Sequence, residues 1–377
     1  MRVELPAPTP IEIAHSERLV ALIRDEIASA GGTLDFARYM ELALYAPGLG
    51  YYSAGSKKFG ATGDFVTSPE LGSVFARCVA RAIAPTLREL GRGADILEPG
   101  PGSGALAVEL LLELERLDVL PARYLLLERS ADLRARQREV LQTRCAHLAE
   151  RAVWLDAPPA DAWHGVIVAN EVIDALPVRL FAQRDAGLFA RAVGVDEQGK
   201  FIWREVEADT ALRAAVEQAV GNRLEILPRP YLSEICPLLM PWLAEITRTL
   251  RAGSALFLDY GYAHREYYDA ARDTGTLRCH YRHRAHNDPL ILVGLQDITA
   301  WVDFDALARA GTHAQMTVSA HDTQAQFLIS HGLDEVFAAA YASAADEAAR
   351  YALAQEVKRL TLPGEMGERF RVIEFRR

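Results

Sequence analysis

Asp95-Ile96-Leu97-Glu98-Pro99-Gly100-Pro101-Gly102-Ser103-Gly104-Ala105-Leu106 decides how the rest of this chain is read. A short apolar run ends in an acid, a glycine-rich turn follows, and a helix-forming stretch takes over. Three glycines at alternate positions let the backbone turn sharply and approach a ligand with no Cβ in the way. The helix that follows points its first N–H groups at that ligand. Such a strand–turn–helix opens an α/β nucleotide-binding domain.

The same rhythm continues downstream. Apolar runs at 124–128, 152–155, 165–170 and 254–261 read as further strands, and helices are expected over 103–117 and 132–148. Repeated β-then-α units imply a parallel sheet with right-handed crossovers. Residues 314–318 and 370–375 read as the last strands, with helices over 323–330 and 334–359 between them. Between the fourth and fifth strands the pattern changes. Residues 179–207 alternate apolar and polar, with turn signals at 185–187 and 197–199, as an antiparallel meander does. Helices are expected over 210–220 and 235–250. The stretch from 179 to about 230 is therefore read as an α+β insertion in the core.

Upstream, 11–29 has apolar residues at helical spacing, and Thr33 reads as the N-cap of a second helix. A long Gly/Tyr-rich loop follows, from Leu44 to Glu70. Long irregular loops are often functional. Ser68-Pro69 reads as the start of a helix reaching about Leu90. The expected division is thus an N-terminal helical cap and loop over 1–90, and an α/β core over 91–377.

Composition narrows the function classes. A formal charge of -10 argues against nucleic acid as a partner, because phosphate binding wants a basic face. Four scattered cysteines without a C-x-x-C pair read as free thiols in a reducing compartment. No apolar run reaches the ~20 residues that span a bilayer. With no signal core or transit-type helix in the first ten residues, the chain reads as cytoplasmic and prokaryotic. There is no P-loop and no G-x-S-x-G elbow. His280-x-x-His283-x-x-His286 has metal-like spacing, but its interleaved arginines would repel a cation, so no metal is expected.

Gly100-x-Gly102-x-x-Ala105 fits a dinucleotide fingerprint as well as Gly100-x-Gly102-x-Gly104 fits S-adenosylmethionine. Glu128, ending the second strand, would hold ribose hydroxyls in either case and would repel a 2′-phosphate. Three features tilt the reading toward S-adenosylmethionine. Glu98 stands directly before the turn, the glycines alternate strictly, and Asn170-Glu171 ends the fourth strand where a methyl acceptor would sit. Asp156 is a candidate acceptor for an adenine amino group. The cofactor candidates are therefore Glu98, Gly100, Gly102, Gly104, Glu128 and Asp156.

With these residues in view, the chain resembles the MidA-like S-adenosylmethionine-dependent methyltransferases, which include a mitochondrial complex I assembly factor acting as a protein arginine methyltransferase. The resemblance spans nearly the whole chain. It rests on Leu44-Tyr45-x-Pro47-x-x-Gly50-Tyr51-Tyr52, Gly63-Asp64-Phe65-x-Thr67-Ser68-Pro69-Glu70, the glycine turn, Asn170-Glu171-x-x-Asp174-Ala175-x-Pro177, Asp259-Tyr260-Gly261, Gly275-Thr276-Leu277 and Asp297-Ile298-Thr299-x-x-Val302-Asp303-Phe304. It implies a Rossmann-like seven-strand class I methyltransferase fold with an N-terminal helical cap and an inserted subdomain, and cofactor binding at Glu98, Gly100, Gly102, Gly104 and Glu128; it does not carry the substrate over, and a protein substrate is the expectation. An arginine acceptor stays protonated, so it needs carboxylates to grip it and take its proton. Glu171 and Asp174, one turn apart if a helix begins there, are the first candidates, with Asn170 and Asp64 beside them. Tyr45, Tyr51 and Tyr52 would wall the cofactor from water. Methylation of a small molecule or another protein nitrogen, and a non-catalytic assembly role through 262–287, stay open.

Overall fold

The computed structural model describes residues 5–54 and 72–377. They gather into two compact units, each built from separate stretches of chain. One unit takes the described residues of Val66–Val172 with Trp242–Gly261 and Leu307–Arg377. The other takes those of Met1–Phe65 with Ile173–Pro241 and Tyr262–Ala306. This division differs from 1–90 and 91–377, and more than 179–230 leaves the sheet unit.

The first unit is organised on a sheet of β1 (Asp95–Pro99), β2 (Tyr124–Leu127), β3 (Ala152–Leu155), β4 (Trp163–Asn170), β5 (Leu250–Tyr262), β6 (Thr317–Thr323) and β7 (Phe370–Arg376). Their order is β3-β2-β1-β4-β5-β7-β6. The first five run parallel, and β7 lies antiparallel between β5 and β6. The expected seven-strand α/β sheet is present. Every residue of β1 is buried, as suits a central parallel strand covered on both faces. Helices α1 (Val74–Leu90), α2 (Ala105–Arg116) and α3 (Ala131–Arg144) belong to this unit. Val79 and Ile83 of α1 and Leu106 and Leu110 of α2 share a core with Val166 and Val168 of β4.

Toward the C-terminus, the single helix expected over 334–359 is two, α4 (Leu333–Ser343) and α5 (Glu347–Thr361). Asp346 breaks the run, because its side chain accepts the Ala349 N–H and N-caps the second helix. From α5, the buried Glu356 accepts the Val74 N–H at 2.8 Å and so caps α1, whose own N-cap Ser73 makes no side-chain bond.

The second unit contains the meander. Arg179–Arg184, Gly187–Val195 and Phe201–Glu207 pair antiparallel in sequence, with Tyr231–Ile235 and Thr33–Asp35 completing the sheet. Alternation sends Leu180 and Val193 into a core with Leu19, Ile23, Phe36 and Tyr39, and sends Phe181 and Leu188 into another with Leu212 and Val216. Thr33 opens a strand rather than a helix. Asp35 is the cap of the helix Phe36–Tyr45, accepting the Ala37 N–H at 2.9 Å. Ile235 ends a strand, and the helix expected from it runs only over Leu239–Thr247.

Candidate functional site

β1 delivers the chain into the glycine turn. Gly100, Gly102 and Gly104 take φ of +61°, +52° and +83°. That region is costly for residues bearing a Cβ. Space is limiting as well: a Cβ on Gly100 would lie 3.2 Å from Val172 Cγ2, and one on Gly104 would lie 3.2 Å from Gln137 Cγ. The Gly100 N–H donates to the Leu127 carbonyl at 3.1 Å, which ties the turn to β2. Gly104 N-caps α2 and brings no side chain to its first N–H groups.

Each expected acid has a different environment. Glu98 is 3% exposed and accepts the Tyr124 hydroxyl at 2.7 Å, so it joins β1 to β2 just before the turn. Burial pushes its carboxyl up to about 7. Glu128 follows β2 and accepts the Ser130 N–H at 2.8 Å at the start of α3. Burial raises its pKa too, against hydrogen bonds that favour the charged form. Asp156 follows β3, is exposed, and pairs with Arg134 at 2.6 Å. Arg134 also donates to the Glu128 carbonyl at 2.6 Å, so one α3 side chain spans the ends of β2 and β3. Arg134 was not singled out from the sequence, where it is one charge among many on a polar helix.

β4 ends at Asn170-Glu171. The Asn170 amide donates to the Glu171 carboxylate at 3.1 Å, and its buried Oδ1 has no hydrogen-bond partner among the described residues. Glu171 sits at φ +52°, a left-handed conformation rare for a residue with a side chain, while its N–H donates to Leu258 of β5 at 2.9 Å. No helix starts here. The left-handed Glu171 and the turn closed by Leu176 N–H on the Ile173 carbonyl replace it, and the chain passes to the other unit after Val172. The expected helical spacing of Glu171 and Asp174 is therefore corrected. Asp174 belongs to the second unit, where it is 6% exposed and its carbonyl accepts the Ala300 N–H at 2.9 Å. Asp64 and Ser68 lie outside the described residues.

Within the second unit, Tyr45 and Tyr52 stack at 5.5 Å and Tyr51 meets Tyr52 edge-on at 5.0 Å. Tyr45 donates to the Ala175 carbonyl and Tyr52 to Asp297, both at 2.9 Å. Tyr51 is 1% exposed and is a core residue of that unit. The three histidines lie on a hairpin, Arg278–Tyr281 with Arg284–His286, whose turn residues Arg282 and His283 both have positive φ. No His, Cys, Asp and Glu group among the described residues could hold a metal.

A left-handed turn that favours glycine, a helix start whose N-cap brings no side chain, and a carboxylate after β2 suit a ligand with a polar tail and a ribose. A family model described as "Putative S-adenosyl-L-methionine-dependent methyltransferase" matches residues 78–321. The chain belongs to this family. The sheet is its seven-strand class I methyltransferase fold, and the cofactor is S-adenosylmethionine. A crystal structure from Burkholderia thailandensis bound to S-adenosyl-homocysteine is 42% identical, with a TM-score of 0.93, and the match covers 99% of this methyltransferase and 95% of that chain. The mitochondrial protein arginine methyltransferase NDUFAF7 of Mus musculus is 28% identical over 386 residues, covering 95% of this chain and 85% of the relative. The Danio rerio protein of that name is 29% identical over 365 residues, covering 90% and 83%. These curated relatives are named as mitochondrial, which overturns the cytoplasmic reading drawn from the first ten residues. No helix among the described residues is long and apolar enough to cross a membrane.

Proposed function

We propose that this methyltransferase transfers the methyl group to a nitrogen of an arginine side chain in a protein. The observation that carries the nitrogen reading is the end of β4: a buried Asn170 Oδ1, without a hydrogen-bond partner among the described residues, beside the Glu171 carboxylate. When bound, S-adenosylmethionine supplies an electrophilic methyl on a sulfonium, whose carbon–sulfur electron pair returns to sulfur on transfer. The chain's residues handle the nucleophile. Asn170 Oδ1 accepts an N–H and so orients the nitrogen. Glu171 attracts the guanidinium and receives the proton it loses as the new carbon–nitrogen bond forms. The strained backbone at Glu171 is consistent with a residue held for chemistry. The names of the NDUFAF7 relatives support a protein arginine acceptor.

For the cofactor, we assign the glycine turn and Glu128 to binding. Glu98 acts by holding β1 to β2 beneath the turn. Asp156 stays a candidate for the adenine end, with Arg134 fixing its carboxylate. Asp64 stays a candidate beside the acceptor from its family motif alone, and Asp174 carries no role in this reading. The test is transfer of labelled methyl from S-adenosylmethionine into a cell lysate, followed by mapping of the modified residue. Label on arginine, lost with Glu171→Gln while S-adenosyl-homocysteine still binds, is the expected result. Label confined to other residues or to small molecules rejects the arginine reading.

A further inference from the structure

Gln137 lies in the middle of α3, yet its side chain is fully buried. A buried amide must find partners for an oxygen and two N–H groups or destabilise the fold. Here Trp154 of β3 donates its indole N–H to Gln137 Oε1 at 2.9 Å, and Gln137 Nε2 donates to the Gly102 carbonyl at 2.9 Å. An indole N–H can only donate and a carbonyl can only accept, so the two partners fix which way the amide faces. Among side chains of this length, only an amide serves both. The same residue packs under the turn, where its Cγ and Cα are the nearest atoms to the missing Cβ of Gly104.

We propose that Gln137 is a positioning residue for the cofactor, locking the glycine turn to β3 through its bonds to Gly102 and Trp154. A planar trans peptide points its N–H opposite to its carbonyl. Holding the Gly102 carbonyl on α3 therefore aims the Ser103 N–H away from that helix and keeps it there. Neighbouring side chains on the same helical face reinforce the bracket. Arg138 lies over the Trp154 ring at 4.5 Å, and Arg134 ties Glu128 to Asp156. Gln137 also favours the charged form of the Glu128 carboxyl, so the turn and the ribose-side acid share one support. The inference rests on S-adenosylmethionine as cofactor and on no choice of methyl acceptor.

The test is calorimetry of S-adenosyl-homocysteine binding to the full chain, with hydrogen exchange of the peptide carrying the turn. Gln137→Met keeps length and volume and removes both bonds. Its dissociation constant is expected to weaken by roughly 10- to 100-fold, the loss of one or two buried hydrogen bonds. Exchange should quicken in the turn and stay unchanged in β1. Binding by Gln137→Met within about twofold of the parent, with unchanged exchange in the turn, overturns the proposal. If that variant fails to fold, Trp154→Phe decides. It removes the indole donor, leaves the Gln137–Gly102 bond in place and narrows the ring beneath Arg138, and should weaken binding severalfold; parental affinity and parental exchange in the turn then overturn the proposal.

Discussion

Tyr124 donates its hydroxyl hydrogen to Glu98, and both side chains are sealed inside the sheet, one strand apart. The pair sits at the foot of the glycine turn, so the protonation state of one carboxyl bears on the order of the cofactor site. The Glu98 pKa is pushed up to about 7 by burial, against an ordinary value of 4.5, with the Tyr124 bond working in the other direction. Folded protein therefore holds a proton that the unfolded chain releases between about pH 4.5 and 7. The Glu98 contribution is greatest below that window and is lost as pH rises through it. Burial raises Glu128, Glu234 and Glu356 as well, with the same sign. Denaturation midpoints should thus climb as pH falls from about 8 to about 6. Glu98→Gln should flatten its share of the slope, at most ~3 kcal/mol. An unchanged slope in Glu98→Gln would show that the carboxyl is already ionised in the folded protein.

Gly100→Val should remove cofactor binding and leave the sheet folded. The substitution puts a β-branched side chain at φ +61° and against Val172. The backbone term alone costs about 1–2 kcal/mol. Far-ultraviolet circular dichroism and calorimetry with S-adenosyl-homocysteine check the two halves separately; tight binding by the variant would mean that the ligand does not approach this turn.

At Glu171 stability and activity should move apart. Its left-handed backbone suits glycine, and replacement recovers strain of order 1 kcal/mol, less the extra freedom that glycine gains on unfolding. Glu171→Gly also gives up the bond from the Asn170 amide, so it is expected to melt close to the parent, far less affected than its methyl transfer, which should be lost. Thermal melts and labelled-methyl transfer measure both. Turnover at the parental rate would remove Glu171 from the chemistry.

The cap that Glu356 places on α1 should be worth about 1–2 kcal/mol, so Glu356→Ala should lower the denaturant midpoint accordingly. Gly72→Ala should act on the same contact, since a Cβ there would overlap the Glu356 carboxylate. Combining the two should cost less than the sum, because both disturb one bond. Simple additivity in a double-mutant cycle would show that Glu356 does not hold α1.

Some of this was written in the chain. Buried parallel strands must be continuous apolar runs, so 94–98, 124–128, 165–170 and 254–261 declare themselves, and alternation with turn residues does the same for the meander. The glycine turn is equally legible, because left-handed backbone at three alternate positions favours glycine. Local rules erred where another segment supplied the partner. Thr33 has the composition of a cap, but the meander claims it as a strand. Asn170-Glu171 was placed correctly at the end of β4, but the helix expected after it is absent, because Glu171 turns left-handed.

What the sequence by itself determined is the α/β sheet, the cofactor turn and the residues at the strand ends, all of which follow from short-range pattern. Only the tertiary structure decided which side chains meet. It set Glu98 on Tyr124, Asp156 on Arg134, Glu356 on the start of α1 and Gln137 on Gly102. It also gathered three separated stretches into the second unit. The physical reason is range: dihedral preference and periodicity act over a few residues, whereas a buried polar group is satisfied by whatever distant atom the packing brings to it.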